Sequence, residues 1–423
     1  MRRGALFSLG TLRADAPGRS RSPANAMMIG GGATIVGVLP LFLTGAMGAQ
    51  LTSELAFGAA GLGTAVAMFR VTGALSSWPL GRLADRLGST WSVRLTAAAA
   101  LVALVGIATT ARSLVTLVAW LMVGSCAHAL GQPAANRLLI MNVRPERQGL
   151  AFGLKQSAQP TASMLAGLSV PLVAVAFGWR WSYLLGAVVA VMVLLGVGRR
   201  PPVALRAQRT RVGAARLTDR STIVTFAVAL GLSNGASATV SAFYVDAAVR
   251  AGSSQQFSGA MLAAASFAAI AARLGLGVAS DRTASGHLVL CAGSLAVGSV
   301  GIALLATGRP STMAAGVVIA LGGAWGFNGV FWYALMRAFR DSPATVTGAL
   351  LPGGLGGGTV GPLVFGVLAE AVGYAVAWGF AGVLAALAAM AMLFGARRLN
   401  ERRRGQQSEN GAGSAPGVRK EQQ

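Results

Sequence analysis

Acidic residues, histidine and cysteine are all scarce in this chain. Its 423 residues include 12 Asp and Glu, 2 His and 2 Cys, and charged residues of both signs make up 11% of it. Two cysteines exclude a disulfide framework, and with so few Cys and His no metal-ligand cluster is available. A membrane enzyme would need a nucleophile and base pair or a metal cluster, and neither is visible. We therefore predict no enzymatic activity, no cofactor and no metal site.

Apolar residues dominate what is present. Hydrophobic residues make up 54% of the chain and the mean hydropathy is +0.63, which excludes a protein whose whole surface faces water. The apolar runs are continuous rather than alternating, and each is about long enough to cross a hydrocarbon core of roughly 30 Å as a helix. The sequence predicts twelve spans, at 27–49, 57–79, 93–111, 115–140, 150–176, 181–198, 222–245, 258–279, 286–306, 312–335, 345–368 and 374–396.

The basic residues predict the orientation of these spans. Of 35 Lys and Arg, four fall on one side of the membrane and three within spans, and the rest share the side of both termini. Because Lys and Arg in short loops stay with the cytoplasm, both termini are expected there, in a multi-pass inner (plasma) membrane protein. The net charge of +23 is spread over loops and tails without a basic face of interleaved aromatics, so no nucleic-acid partner is predicted.

One pattern occurs twice, 196 positions apart. Gly81 is followed four residues later by Asp85-Arg86, and Gly277 in the same way by Asp281-Arg282. Arg144 and Arg340 share this offset, and Gly178-Trp179 resembles Gly373-Tyr374 at an offset of 195. The sequence therefore predicts an all-α membrane protein of two pseudo-symmetric six-helix bundles. The expected divisions are a disordered cytoplasmic leader (1–25), the first bundle (26–198), a basic cytoplasmic linker (199–221), the second bundle (222–397) and a disordered cytoplasmic tail (398–423).

These features resemble the major facilitator superfamily over residues 27–396. The stretch with Gly81, Asp85, Arg86 and Gly88 is similar to the signature loop of that family, and Gly277, Asp281 and Arg282 to its weaker second copy. The resemblance implies alternating access, in which two bundles rock about a central site and these Asp and Arg groups hold the inner face closed. Alternatively, Asp85 and Arg86 only mark a helix end. The stretch 147–157 is similar to the fifth span of bacterial cyanate and nitroimidazole permeases.

Three cations fall inside predicted spans, and no Asp or Glu falls in the middle of one. Arg70 lies about 11 residues before Gly81, close to the membrane centre, where a guanidinium costs at least roughly 2.5–3.5 kcal/mol. We expect it to face a polar cavity and bind substrate or gate it, or else to bond backbone carbonyls. Lys155 and Arg273 lie nearer the inner boundary, where they could act in substrate binding and in gating, or simply snorkel. Glu54, Asp246 and Glu370 are expected to be solvated at the outer ends.

Amides and aromatic residues supply further candidates. Each could equally be a packing residue, and together they favour a site for a small organic anion with an apolar or aromatic part. His128 could titrate near neutral pH and couple transport to protons, or could be a hydrogen-bonded packing residue. The predicted substrate-binding residues are Arg70, Lys155, Gln156, Gln159, Asn136, Asn328, Trp325 and Tyr244.

The function predicted from these residues is secondary active transport of a small organic anion, with uptake or exchange favoured. Export of an amphipathic or drug-like compound is the alternative. It is weakened because the glycine-rich motif ending in Gly-Pro, which drug/proton antiporters carry in the fifth span, is replaced here by Gln159-Pro160 and Val170-Pro171. A membrane sensor that binds without transporting is a further possibility. We expect the chain to act as a monomer in the lipid bilayer.

Overall fold

The computed structural model describes residues 23–144, 154–197, 220–282, 286–338 and 343–413. Most of the predicted leader, most of the linker and most of the short stretch before Lys155 lie outside these residues, as does Arg340. All regular elements of the described ranges are helices. This agrees with the predicted all-α class, since lipid requires every backbone hydrogen bond to be satisfied within a segment.

The helices follow the predicted apolar segments closely, except that the last helix continues through residues 398–413, which were predicted to belong to a disordered tail. In the first half of the chain they are α1 (Pro23–Ala46), α2 (Gly48–Glu54), α3 (Ala59–Thr110), α4 (Leu114–Asn142), α5 (Ala158–Ser169), a π-helical turn (Val170–Ala174), α6 (Val175–Phe177) and α7 (Trp179–Gly196). In the second half they are α8 (Arg220–Arg250), α9 (Gln255–Arg282), α10 (His287–Leu305), α11 (Pro310–Gly326), α12 (Asn328–Ala338), α13 (Pro343–Ala371) and α14 (Tyr374–Gly413). Eleven helical segments of the described residues are long and apolar enough to cross a membrane.

The eleven segments are consistent with the twelve predicted spans, because α3 contains two of them, 57–79 and 93–111. The stretch between these two spans, expected to be a loop, is helical on either side of a kink at Gly88, whose φ of 74° and ψ of 163° are non-helical and separate two helices. Glycine adopts this left-handed φ without the steric cost of a Cβ. The Ser92 hydroxyl donates to the Gly88 carbonyl at 2.9 Å and so supplies a bond at the kink.

The two halves of the chain meet along three pairs of helices. Helix α3 packs against α13, α5 against α9, and α1 against α8. Within the second half, α8 and α13 approach through glycines: a Cβ added at Gly357 would collide with the carbonyl of Gly231, and one at Gly361 would lie 2.6 Å from the Cα of Gly235. The glycine-rich run therefore allows close backbone packing, as small residues do between membrane helices.

We call inner the side on which α1 begins and outer the side of the short turns at Ala111–Ser113 and Gly373. The turns at Gly178 and Gly373 have φ of 92° and 97°, which favours glycine at both places. They connect matching helices of the two halves, the fifth to the sixth predicted span and the eleventh to the twelfth. Placing the inner side in the cytoplasm remains a prediction.

Candidate functional site

Arg70 lies where the two halves of the chain meet. Its side chain lines a small cavity between α1, α3 and α8, and the other lining residues are Leu41, Phe42, Val66, Ala238, Ser241 and Ala242. On the α13 side the guanidinium lies so close to Gly358 that a Cβ added there would be 2.8 Å from Nη1. The absence of a side chain at Gly358 thus makes room for the cation.

The Arg70 guanidinium has no carboxylate partner among the described residues. Its Nε is buried and has no hydrogen-bond partner in the same ranges. A buried donor without a partner costs about 1–3 kcal/mol, so such a group in a folded protein requires an explanation. A ligand or water that accepts a hydrogen bond from this nitrogen would explain its burial.

A second polar group, the amide cluster, consists of His128, Gln132 and Asn136 on α4 together with Lys155. The Lys155 ammonium donates to Gln132 Oε1 at 2.5 Å and to Asn136 Oδ1 at 2.7 Å. Gln132 Nε2 lies 3.5 Å from both ring nitrogens of His128. Positions four residues apart share one face of a helix, so α4 presents all three side chains together.

Lys155 is 6% exposed and bonded to α4, which excludes the predicted alternative that it snorkels to the inner boundary. Sequence reasoning missed Gln132, although its position midway between His128 and Asn136 was a usable signal. The His128 ring lies 6.4 Å from the Phe69 ring, beside Arg70 in the chain. The amide cluster thus extends toward the arginine.

Arg273 joins the two halves through backbone carbonyls. It is 9% exposed, and its Nε donates to the Trp325 carbonyl at 2.9 Å while Nη1 donates to the Gln156 carbonyl. Trp325 lies in the last turn of α11, where carbonyls lack helical partners and attract cations. Arg273 therefore does not snorkel, and its predicted gating role remains a prediction.

The remaining predicted substrate residues are dispersed. Trp325 is buried with its ring edge-to-face against Phe42, at 5.8 Å between centroids, so it lies beside the cavity wall. Tyr244 is buried, and Asn328 is half-buried at the start of α12. The side chains of Gln156 and Gln159 are exposed. None of these last four is among the residues that line the Arg70 cavity.

The predicted signature residues flank the kink in α3. Asp85 is bonded to Arg137 of α4 at 3.2 Å, a partner that sequence reasoning did not single out, and Arg86 is exposed. A Cβ at Gly81 or Gly277 would meet open space. The side chains of Asp281 and Arg282 lie outside the described part of the structure.

The predicted solvation of the outer carboxylates is wrong for Asp246. Its side chain is 1% exposed and accepts hydrogen bonds from Thr52 at 3.3 Å, from Arg250 at 3.0 Å and from Tyr374. Glu54 and Glu370 keep exposed surface but are also bonded, Glu54 to Trp179 and Arg180 and Glu370 to the backbone N–H of Ala60. Hydropathy could not reveal most of these partners, because all but Arg250 come from distant parts of the chain.

Solved structures share this arrangement of helices at low sequence identity. A nucleoside transporter, NupG, superposes with a TM-score of 0.69 at 16% identity, covering 87% of this chain and 99% of its own. A bacterial homologue of the human lysosomal transporter Spinster, in an inward-facing and occupied conformation, gives 0.68 at 15%, over 90% and 98%. A D-xylose–proton symporter gives 0.71 at 14%, over 88% and 97%. These likenesses show the fold alone.

The family is shown by the sequence itself. No curated protein matches the chain significantly. The sequence profile described as Major Facilitator Superfamily matches residues 22–351, which is well over half of the chain. Its members are membrane transporters, which agrees with the apolar helices and with the resemblance of the signature residues. The chain belongs to the major facilitator superfamily.

Proposed function

We propose that this protein is a secondary active transporter that moves a small organic anion by alternating access of two six-helix bundles. The observation that carries the proposal is the Arg70 guanidinium, which lines a cavity between the halves with a buried Nε lacking a partner among the described residues. A cation held near the membrane centre without a carboxylate is stabilised when an anion binds beside it.

The contacts between the halves are closest on the outer side. Helices α3 and α13 touch near their outer ends, where a Cβ at Gly63 would lie 2.5 Å from the Pro362 carbonyl, and this contact continues inward to Arg70 and Gly358. On the inner side, Arg273 still bonds the Gln156 carbonyl of the other half. We propose that the cavity at Arg70 is reached from the inner side, which we assign to the cytoplasm, when this inner contact opens.

Arg70 and the amide cluster both contribute to binding the anionic substrate in this proposal. The guanidinium offers a planar donor set suited to a carboxylate, whereas Lys155 is held by neutral amides and keeps its charge uncompensated by described carboxylates. An anion that reaches Lys155 and Arg70 would meet two positive charges, neither of which is paired with a carboxylate among the described residues. The charges of Arg70 and Lys155 therefore favour an anionic substrate, and a screen of candidate compounds would identify it.

Export of an amphipathic compound is the second candidate. It is favoured by the other cavity walls, of which Ser241 alone is polar while Leu41, Phe42 and Val66 are apolar. Apolar walls with one charged group would suit a molecule with a large hydrophobic part. The similar solved structures include nucleoside and sugar transporters, so neutral polar substrates belong in any screen.

Flux into proteoliposomes tests the proposal. The panel should contain aliphatic and aromatic carboxylates, a nucleoside, a sugar and a cationic drug. We expect a carboxylate to be transported, Arg70→Ala to lower its flux at least about tenfold, and Arg70→Lys to retain part of it. Arg309→Ala, which removes an exposed outer arginine, is the matched control and should keep parental flux. Full anion transport by a folded Arg70→Ala protein, or transport of the cationic drug alone, would overturn the anion assignment.

A further inference from the structure

A carboxylate at the outer end of each half is bonded to the aromatic residue that begins the last span of that half. In the first half Glu54 accepts from Trp179 Nε1 at 2.5 Å and from Arg180. In the second half Asp246 accepts from the Tyr374 hydroxyl and from Arg250 Nε at 3.0 Å. Both aromatic residues directly follow the glycine turns at 178 and 373. Each half thus repeats one arrangement of carboxylate, aromatic donor and arginine.

The two arrangements differ in one respect. The hydrogen-bond partners of Glu54, Trp179 and Arg180, belong to its own half, and its side chain is 46% exposed. Asp246 is 1% exposed and also accepts a hydrogen bond at 3.3 Å from Thr52, which lies on α2 in the other half. A buried carboxylate is costly unless donors surround it, so its burial depends on the contact between the halves.

Two further bonds join the halves at the same level. Gln50 Nε2 donates to Gln255 Oε1 at 2.8 Å, and the backbone N–H of Ala60 donates to Glu370 Oε2 at 2.9 Å. Ala60 lies in the first turn of α3, where free N–H groups and the positive end of the helix dipole favour a carboxylate. Helix α3 is therefore fastened at its outer end to α13.

We infer that the contact of Thr52 with Asp246, together with the Glu370 cap on α3, is the outer latch that keeps the cavity closed from the outer side. The inference rests on the proposed alternating access and extends it to named gating residues. Opening the outer side separates Thr52 from Asp246 and exposes the carboxylate to water. Removing either partner lowers the cost of that step and raises the fraction of molecules open to the outside.

Accessibility of a cysteine in the cavity tests the latch without any substrate. The reporter is Ser241→Cys in a protein whose own thiols are removed by Cys126→Ala and Cys291→Ala. The measured quantity is its reaction rate with a membrane-impermeant, charged thiol reagent added to the outer side of sealed vesicles. We expect Thr52→Val and Asp246→Asn each to raise this rate about three- to tenfold, and Thr52→Ser to restore the parental rate because it keeps the hydroxyl.

Glu54→Gln is the matched control, since Glu54 occupies the corresponding place but is bonded within one half. It should leave the labelling rate unchanged. Unchanged labelling in both Thr52→Val and Asp246→Asn would overturn the latch, as would an equal increase in Glu54→Gln, which would indicate loosened packing of the outer ends. Failure of the anion assignment is distinguishable, because it would appear as parental anion flux in Arg70→Ala while leaving this labelling pattern intact.

Discussion

The ammonium nitrogen of Lys155 lies 2.5 Å from Oε1 of Gln132, so a buried cation is held by an amide of a neighbouring helix rather than by a carboxylate. The second acceptor, Asn136 Oδ1, is also an amide, at 2.7 Å. Neutral acceptors satisfy the donors of an ammonium without cancelling its charge. Lys155 therefore keeps its positive charge while remaining fixed to α4, which is the property that the proposed anion transport requires of it.

Replacing this charge should impair transport of the anion more than it impairs folding. We expect Lys155→Met to lower flux at least about tenfold, because the positive charge is lost. Two amide oxygens would lose their donor, and unfolding should become easier by about 1–3 kcal/mol, measured as thermal unfolding in detergent. Leu154→Met, at the exposed neighbouring position, is the control. If Lys155→Met kept the parental flux, Lys155 would not belong to the substrate site.

Gly358→Ala should disturb Arg70 alone. The added Cβ would lie 2.8 Å from Nη1, the far end of a flexible side chain, so the guanidinium can shift at little cost to the fold. We expect KM for the transported anion to rise about three- to tenfold with unchanged thermal stability. Gly356→Ala, two residues earlier on the same helix, meets open space and serves as the comparison. If Gly358→Ala and Gly356→Ala had equal KM values, Arg70 would not take part in substrate binding.

Gly357→Ala should instead affect stability, because here the obstacle is backbone. The Cβ would collide with the carbonyl of Gly231 on α8, and neither helix can move without separating from the other. Overpacking of this kind costs about 1–3 kcal/mol. Thermal unfolding followed by loss of the monodisperse chromatographic peak measures it. Gly379→Ala, which meets no atom within 4 Å, should unfold like the parent; a similar loss in both variants would contradict the packing argument.

Glu54 predicts a dependence of stability on pH. Burial alone would raise the pKa of this carboxyl, but the hydrogen bonds from Arg180 and Trp179 and the charge of Arg180 lower it below 4.5. A lowered folded-state pKa means that the stabilisation is present above the unfolded value, about 4.3, and is lost as the pH falls through the folded value.

The thermal midpoint should accordingly fall as the pH is lowered below about 4.3, and Glu54→Gln should show a smaller fall. The effect is small, because the side chain is nearly half exposed to solvent. Trp179→Phe removes one of the two donors and should give an intermediate slope. An identical pH dependence in Glu54→Gln and the parent would assign the acid sensitivity to other carboxyls.

Hydropathy and motif spacing predicted much of the fold. Most helices of the described residues lie on the apolar segments that hydropathy predicted. The stretch around Gly88 was expected to be a loop, but its residues are helical on both sides of Gly88, where one glycine with positive φ separates two helices. Hydropathy alone cannot distinguish these outcomes.

The site was less predictable. Arg70 and Lys155 stood out because a charge is costly in lipid, whereas Gln132 carries no charge and was overlooked. Asp246 was expected in water because it lies at the end of a span, yet Thr52, Tyr374 and Arg250 surround it. A position along one helix gives depth in the membrane, and it does not give the neighbours that other helices supply.

The sequence by itself determined that this chain is a helical membrane protein of the major facilitator superfamily, because apolar length, scarcity of acids and the repeated Gly-Asp-Arg pattern are properties of single segments. Only the tertiary structure decided which polar groups meet: Lys155 with Gln132, Arg70 with the cleft left by Gly358, and Asp246 with Thr52. The physical reason is that hydrogen bonds act over about 3 Å, and helix packing alone brings groups from distant parts of the chain within that range.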